Sequence, residues 1–260
     1  MGPGSLEAVI VPVDLSKPNL FHDIPDIPER YHRRFRLSLP DDASTDPDFT
    51  VSESIINMGI WEPWETMFLS SAFAAADDST VFIDLGAHIG WFSALAASWG
   101  MWWYAYEYDH HLMRHLRWLA KRAKGTVTQC WIDDNWVFGY VYDVSQLIVK
   151  MDLEGNEECA VRALWPYFAG RTITHCMMEI SPVFNDSYPM ICSDLIGLGY
   201  EAWVMPEKQL NPPAIGLRFK DYVKRYSRGL HEMDLDVMST WLEKQHQINV
   251  MFSRPEAKWG

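Results

Sequence analysis

From residue 78 onward the chain alternates short apolar runs with stretches of helical spacing, and that rhythm predicts its fold class. Apolar runs at 80–84, 101–107, 126–131, 147–151, 173–180, 200–205 and 248–253 predict strands. Between them, 91–98, 110–124, 157–168 and 189–198 predict helices, with Leu112, Leu116 and Leu119 on one face of the second. A further helix is expected over 60–76, where Glu62 and Pro63 stand in the opening turn and Met67, Phe68, Ala72 and Phe73 recur at helical spacing. Strands and helices alternating in this way predict an α/β fold, a mainly parallel sheet with helices on both faces. Residues 6–50 instead hold Pro12, Pro18, Pro25, Pro28, Pro40 and Pro47 with little sustained periodicity, which predicts an extended arm or an irregular lead-in.

Composition supports one large domain. The 260 residues are 48% hydrophobic and 22% charged, the make-up of a globular protein long enough to bury a sizeable core. Residues 1–5 have the small, flexible character of an expression scar, 6–50 form an N-terminal extension, and 51–260 form the domain. Within it, 206–247 is an insertion before the last strand, either a substrate lid or a packing subdomain. No apolar run approaches the roughly 20 residues of a bilayer span, so no membrane association is expected. Cys130, Cys159, Cys176 and Cys192 show no C-x-x-C pair; neither a zinc site nor a disulfide framework is expected, and reduced thiols in a cytoplasmic protein are the simplest reading. A formal net charge of −13 repels polyphosphates, which disfavours a nucleic-acid partner despite local basic patches at 30–36 and 220–228.

The candidate chemistry lies at the strand ends. Asp84, Glu107, Asp152 and Glu179 each stand at or just past the carboxyl end of a predicted strand, where ligands of such sheets bind. The segment V-F-I-D-L-G-A-H-I-G-W-F places Gly86 and Gly90 in a turn that lets the backbone bend sharply before a helix. Glu107 follows about 20 residues later, the separation at which an acid accepts both hydroxyls of a ribose. A nucleoside-containing cofactor is therefore expected. Asp84 beside the turn and the lack of a full G-x-G-x-x-G favour S-adenosylmethionine, a sulfonium and ammonium carrier, over a dinucleotide pyrophosphate.

In I-V-K-M-D-L-E-G-N-E, a strand continuing through Glu154 would put Lys150, Asp152 and Glu154 on one side. The plainer alternative makes Asp152 a cap of the following helix, with Glu154, Glu157 and Glu158 complementing its positive end. Asp152 is the expected base or acceptor-orienting group; Lys150 would lower the acceptor's proton affinity or pair with a substrate anion, and Glu179 would assist. Asp152, Glu154 and Glu179 also match the oxygen preference of magnesium, although no resident metal is expected. His88 is read as a turn residue satisfying backbone groups, and His110 and His111 as solvent-facing residues at a helix start. Trp131 and Trp136 flank Asp133 and Asp134, where an indole would stack on a flat ligand or a sugar.

Three ordered blocks resemble the FkbM family of methyltransferases: W-E-P with V-F-I-D-L-G-A-H-I-G-W-F and Y-A-Y-E-Y-D, then I-V-K-M-D-L-E-G-N-E, then M-M-E-I-S-P with a closing I-N-V-M-F-S-R-P. They span residues 60–255. The resemblance implies a Rossmann-like class I fold with a seven-stranded sheet whose last strand is antiparallel. It implies methyl transfer from S-adenosylmethionine, often to a hydroxyl of a sugar or small natural-product scaffold. By position, Asp84, Gly86, Ala87, His88 and Gly90 would line the methionine part of the cofactor, Glu107 and Tyr108 would flank its ribose, and Glu62 would reach it from the N-terminal helix. Asp133 or Asp134 would border the adenine. The chain departs from the family in a shorter stretch at 107–150 and in the long insertion at 206–247. Other readings are a cofactor-binding protein without turnover, a nicotinamide-dependent oxidoreductase and an RNA-directed methyltransferase; the oligomeric state is left open.

Overall fold

The segment Thr80–Leu85 is buried at every position, as a strand covered by helices on both faces must be. In the computed structural model, which describes residues 9–16, 29–40, 49–139, 144–180, 188–204, 228–229 and 248–259, that segment lies in the middle of the sheet. The described elements are, in order, β1 (Val9–Asp14), a short 3-10 turn (Glu29–Tyr31), β2 (Arg34–Leu39), α1 (Phe49–Met58), α2 (Pro63–Ala74), β3 (Thr80–Leu85), α3 (Trp91–Ser98) and β4 (Trp102–Glu107). Then follow α4 (Met113–Ala120), β5 (Gly125–Gln129), β6 (Gln146–Met151), α5 (Glu157–Ala169), β7 (Ile173–Ile180), α6 (Tyr188–Gly197), β8 (Glu201–Val204), β9 (Arg228–Gly229) and β10 (Ile248–Ser253).

The main sheet runs β5-β4-β3-β6-β7-β10-β8-β9. Strands β3 to β7 pair in parallel, while β10 is antiparallel to both β7 and β8. This is the expected seven-stranded sheet with its inverted last strand, extended at one edge by the two-residue β9. The order reverses between β3 and β6, and the crevice at such a switch point is where ligands of open parallel sheets bind.

Two apolar clusters sandwich the sheet. One joins Phe82, Ile148, Met177 and Met251 to Phe68 of α2, Leu95 of α3 and Leu116 of α4; the other joins Ile83, Val149, Met178 and Val250 to Leu164 of α5 and Leu195 of α6. The period of two along each strand then decides where the polar residues go. Asp84 pairs in register with Lys150, Lys150 with Met177, and Asn249 with Glu179, so all four polar side chains share the face covered by α2 and α3. They occupy its carboxyl rim.

The N-terminal extension is more regular than its prolines predict. Strands β1 and β2 form an antiparallel pair, with Pro12 opposite Arg36. A two-stranded ribbon has only edge strands, where proline's missing N–H is tolerated. The ribbon packs on the domain: Phe35 meets Trp91 edge-on at 5.3 Å, Arg33 lies 3.3 Å from the Trp99 ring centroid, and Ser38 Oγ hydrogen-bonds buried His115 Nδ1 at 2.9 Å. The expected helix over 60–76 begins instead at Pro63, whose fixed φ suits a first helical turn, after a break at Gly59 with φ 73°. Of the insertion 206–247, residues 228–229 are described; the lid reading otherwise lies outside the described residues. No helix among the described residues is long and apolar enough to cross a membrane.

Candidate functional site

Asp84 is the fully buried penultimate residue of β3, just ahead of the turn. Ser93 Oγ donates to its Oδ2 at 2.6 Å, while Oδ1 is buried with no hydrogen-bond partner among the described residues. Such an oxygen suits an N–H donor, met directly or through a water. Gly86 follows with φ +73°, and a Cβ there would lie 1.8 Å from the Asp152 carbonyl oxygen, so the turn presses against the end of β6. The Gly86 and Ala87 N–H groups both donate to the Tyr106 carbonyl at 3.0 Å, stapling the turn to β4. His88, itself left-handed at φ 51°, donates its N–H to Glu107 Oε2 at 2.8 Å. The Asp109 N–H donates to Glu107 Oε1 at 2.8 Å. Glu107 is thus held from both sides with 5% of its surface exposed, and a carboxylate oxygen with two lone pairs can still accept a hydroxyl.

Opposite the turn, Lys150 Nζ donates to the Gly86 carbonyl at 2.9 Å and to Asp152 Oδ2 at 3.0 Å. Burial by itself would lower its pKa, but Asp152, Asp84 and Glu62 outweigh that and hold it above the ordinary lysine range. Lys150 is therefore a fixed ammonium that ties the turn to β6. Asp152 is not a helix cap: Asn156 stands at the N-cap position of α5 without a side-chain capping bond, and Glu157 Oε1 accepts the N–H groups of Leu153 and Gly155 at 3.0 and 3.3 Å. Nor does the strand continue to Glu154, which is left-handed at φ 51° ahead of Gly155 at φ 103°. That turn nevertheless brings carboxylate oxygens of Asp152, Glu154 and Glu179 within 4.8 Å of one another.

Two residues of this wall went unnoticed in the sequence. Buried Glu65 of α2 accepts a hydrogen bond from Asn249 Nδ2 of β10 at 2.9 Å, beside Glu179. The available signals were the spacing of Glu62 and Glu65 and the polar Asn249 inside an apolar strand. Burial, then Glu65 and Asp152, push Glu62 well above the usual carboxylate range. Glu179 is raised to about 8 by burial and then by Asp152, with Lys150 opposing.

A proton held more tightly in the folded state makes stability fall as pH rises. For Glu179 this contribution is full below the unfolded value of 4.5 and lost as pH climbs through about 8. Wild-type melting temperature should therefore drop between about pH 4.5 and about pH 8, by up to about 1.4 kcal/mol per unit in free energy, and level off above that. Glu179→Gln should flatten that slope, and parallel pH–melting curves for the two proteins would refute the assignment.

The remaining candidates divide. Tyr108 is 61% exposed and meets Trp131 edge-on at 4.8 Å, leaving both aromatics open beside Glu107. Trp136 instead packs on Tyr106 and Phe138, at 5.4 and 5.9 Å. Asp134 is taken by Arg162 of α5 at 2.7 Å, whereas Asp133 Oδ1 accepts the Asn135 N–H at 2.8 Å in a local turn.

The strand order, the inverted β10 and the helices on both faces define a Rossmann-like α/β fold with an antiparallel last strand. No family model matches the sequence. A comparison with curated proteins finds no match either. Solved structures of similar fold include an rRNA methylase from Streptococcus thermophilus, 14% identical over 75% of this chain and 98% of that one, with a TM-score of 0.44. A TehB-like SAM-dependent methyltransferase from Corynebacterium glutamicum is 12% identical over 82% of this chain and 98% of its own, with a TM-score of 0.44. Aeropyrum pernix fibrillarin with bound S-adenosyl-L-methionine is 12% identical over 69% and 67%, with a TM-score of 0.38.

Proposed function

We propose that the protein is an S-adenosylmethionine-dependent methyltransferase that methylates a hydroxyl oxygen of a sugar or small natural-product-like acceptor, as the FkbM resemblance implies. The observation that carries this reading is the placement of Glu107, held by the His88 and Asp109 N–H groups, beside a turn that Lys150 ties to Asp152 at the switch point of the sheet. Glu107 would accept the ribose hydroxyls, with Tyr108 beside it and Asp133 on the adenine side. Asp84, Gly86, Ala87, His88, Gly90 and Glu62 would surround the methionine part, whose positive charges would favour the ionised forms of Asp84 and Glu62 against the burial that raises them. Bound there, the cofactor supplies an electrophilic methyl group on sulfur.

The chain's own task is to align the acceptor and take one proton. Asp152, oriented by Lys150, would hold the acceptor hydroxyl. Glu179, raised to about 8, would receive its proton through its ionised form, whose fraction grows as pH rises toward 8, as the oxygen–methyl bond forms and the sulfur–methyl bond breaks. Isothermal titration with S-adenosylhomocysteine tests the cofactor site. Glu107→Ala should weaken binding by roughly 10- to 100-fold, the loss of one or two hydrogen bonds to a charged group. Asp152→Ala should keep cofactor affinity within a few-fold and lose transfer of labelled methyl to sugar and polyol acceptors. Absence of heat from both the methyl donor and its demethylated product with the wild type would sink the reading.

A further inference from the structure

The loop between β4 and α4 carries Asp109, His110 and His111 in succession, outside the crevice of carboxylates. One ligand atom from each lies within 4.8 Å of the other two. The two imidazole rings lie tilted against each other with centroids 3.8 Å apart and planes 40° from parallel, and His110 Nδ1 is 4.0 Å from Asp109 Oδ1. Both histidines are exposed, so burial does not account for their pairing. The backbone beneath them is fixed at three points: the Asp109 N–H donates to Glu107 Oε1 at 2.8 Å, the Asp109 carbonyl accepts the Met113 N–H at 3.2 Å, and Asp109 Oδ1 accepts the His111 N–H at 2.7 Å. A loop held in this way loses little freedom when its side chains close on an ion.

The donor set identifies the class of ion. Two imidazole nitrogens and one carboxylate oxygen suit borderline divalent transition metals, whereas magnesium prefers oxygen ligands and retains its waters. We propose that Asp109, His110 and His111 form a surface site for such a metal, zinc or nickel, with water completing the coordination shell. The site differs in chemistry from the Asp152, Glu154 and Glu179 cluster, which offers carboxylates alone. It stands on the same loop whose Asp109 N–H holds Glu107, and it is independent of the reaction proposed above.

Calorimetric titration of the full chain with nickel chloride, in a non-coordinating buffer near neutral pH, tests the site. The wild type should show a saturable event that weakens at least tenfold in the His110→Ala/His111→Ala double variant, the order of loss seen when metal-site groups are removed. Asp109→Asn keeps an oxygen for the His111 N–H but lacks the charge, and should give an intermediate loss. An unchanged melting temperature in these variants confirms that the fold is retained. No saturable heat in the wild type, or the same affinity in the double variant, overturns the site. Unchanged affinity in Asp109→Asn removes the carboxylate from it and overturns the three-residue assignment. Magnesium chloride binding that disappears with the two histidines would overturn the choice of metal class.

Discussion

Replacing Gly86 with alanine is expected to lower the unfolding free energy by about 3–5 kcal/mol, from left-handed strain plus overpacking. The first part comes from φ +73°, a conformation that costs a residue with a Cβ roughly 1–2 kcal/mol. The larger part is steric. The new methyl would lie 1.8 Å from the carbonyl oxygen of Asp152 and 2.9 Å from its carbon, both backbone atoms at a strand end that no rotamer change can move. Relief requires β3 and β6 to part, and that strains the Lys150 bond to the Gly86 carbonyl. Gly90→Ala is the internal control. Its φ is also positive, +89°, but its Cβ would meet only the Leu116 Cδ2 at 2.7 Å, the end of a side chain that can turn aside. Its loss should be nearer 1–2 kcal/mol, roughly the backbone share alone. Urea denaturation with unchanged slope measures both, and equal losses would show that the approach of the turn to Asp152 is not what requires glycine there.

The contrast between these glycines also shows what a sequence can reveal. That 84–90 holds a turn is readable from the glycines and the switch from strand to helix pattern; that Gly86 must be glycine because of Asp152, 66 positions away, depends on the pairing of β3 with β6. Local signals served well where one element decides its own bounds. Ile173–Ile180, Ile248–Ser253 and Trp91–Ser98 coincide with the expected spans, whose apolar patterns mark them in the sequence. They failed where a neighbour competed. The helix expected from 110 starts at Met113, after a turn in which the Asp109 carboxylate accepts the His111 N–H. Asp152 does not cap α5, because the turn at Glu154 and Gly155 separates it from the helix start, and Glu157 reaches back to accept the Leu153 and Gly155 N–H groups. The acids at the strand ends were visible one by one, but the meeting of Glu65 with Asn249, separated by 184 positions, follows only from packing α2 against β10.

Lys150→Met should be comparably damaging, about 3–5 kcal/mol at neutral pH, because removing a buried ammonium leaves the carboxylates around it, Asp84 fully buried and Asp152 half-buried, uncompensated. Methionine fills similar volume, so the loss isolates charge from packing. Lys150 is 4% exposed, and its ammonium is the cation that offsets Asp152, Asp84 and Glu62 around the crevice. Without it, the raised pKa values of Asp84, Glu62 and Glu179 should rise further, since Lys150 lowers each of them. The sign of the pH dependence follows. Acids whose folded pKa exceeds the unfolded value contribute most in acid and lose that contribution as pH rises, so the deficit of Lys150→Met should shrink below about pH 4.5, the ordinary glutamate value, and be greatest above about 8. Adding Asp152→Leu removes the partner as well and should recover part of the loss, because exchanging both members of a buried pair for apolar groups is often close to neutral. Denaturation of the single and double variants across pH separates the possibilities. A deficit that does not change with pH, or that Asp152→Leu deepens additively, would mean that Lys150 supports the crevice by packing and not by charge.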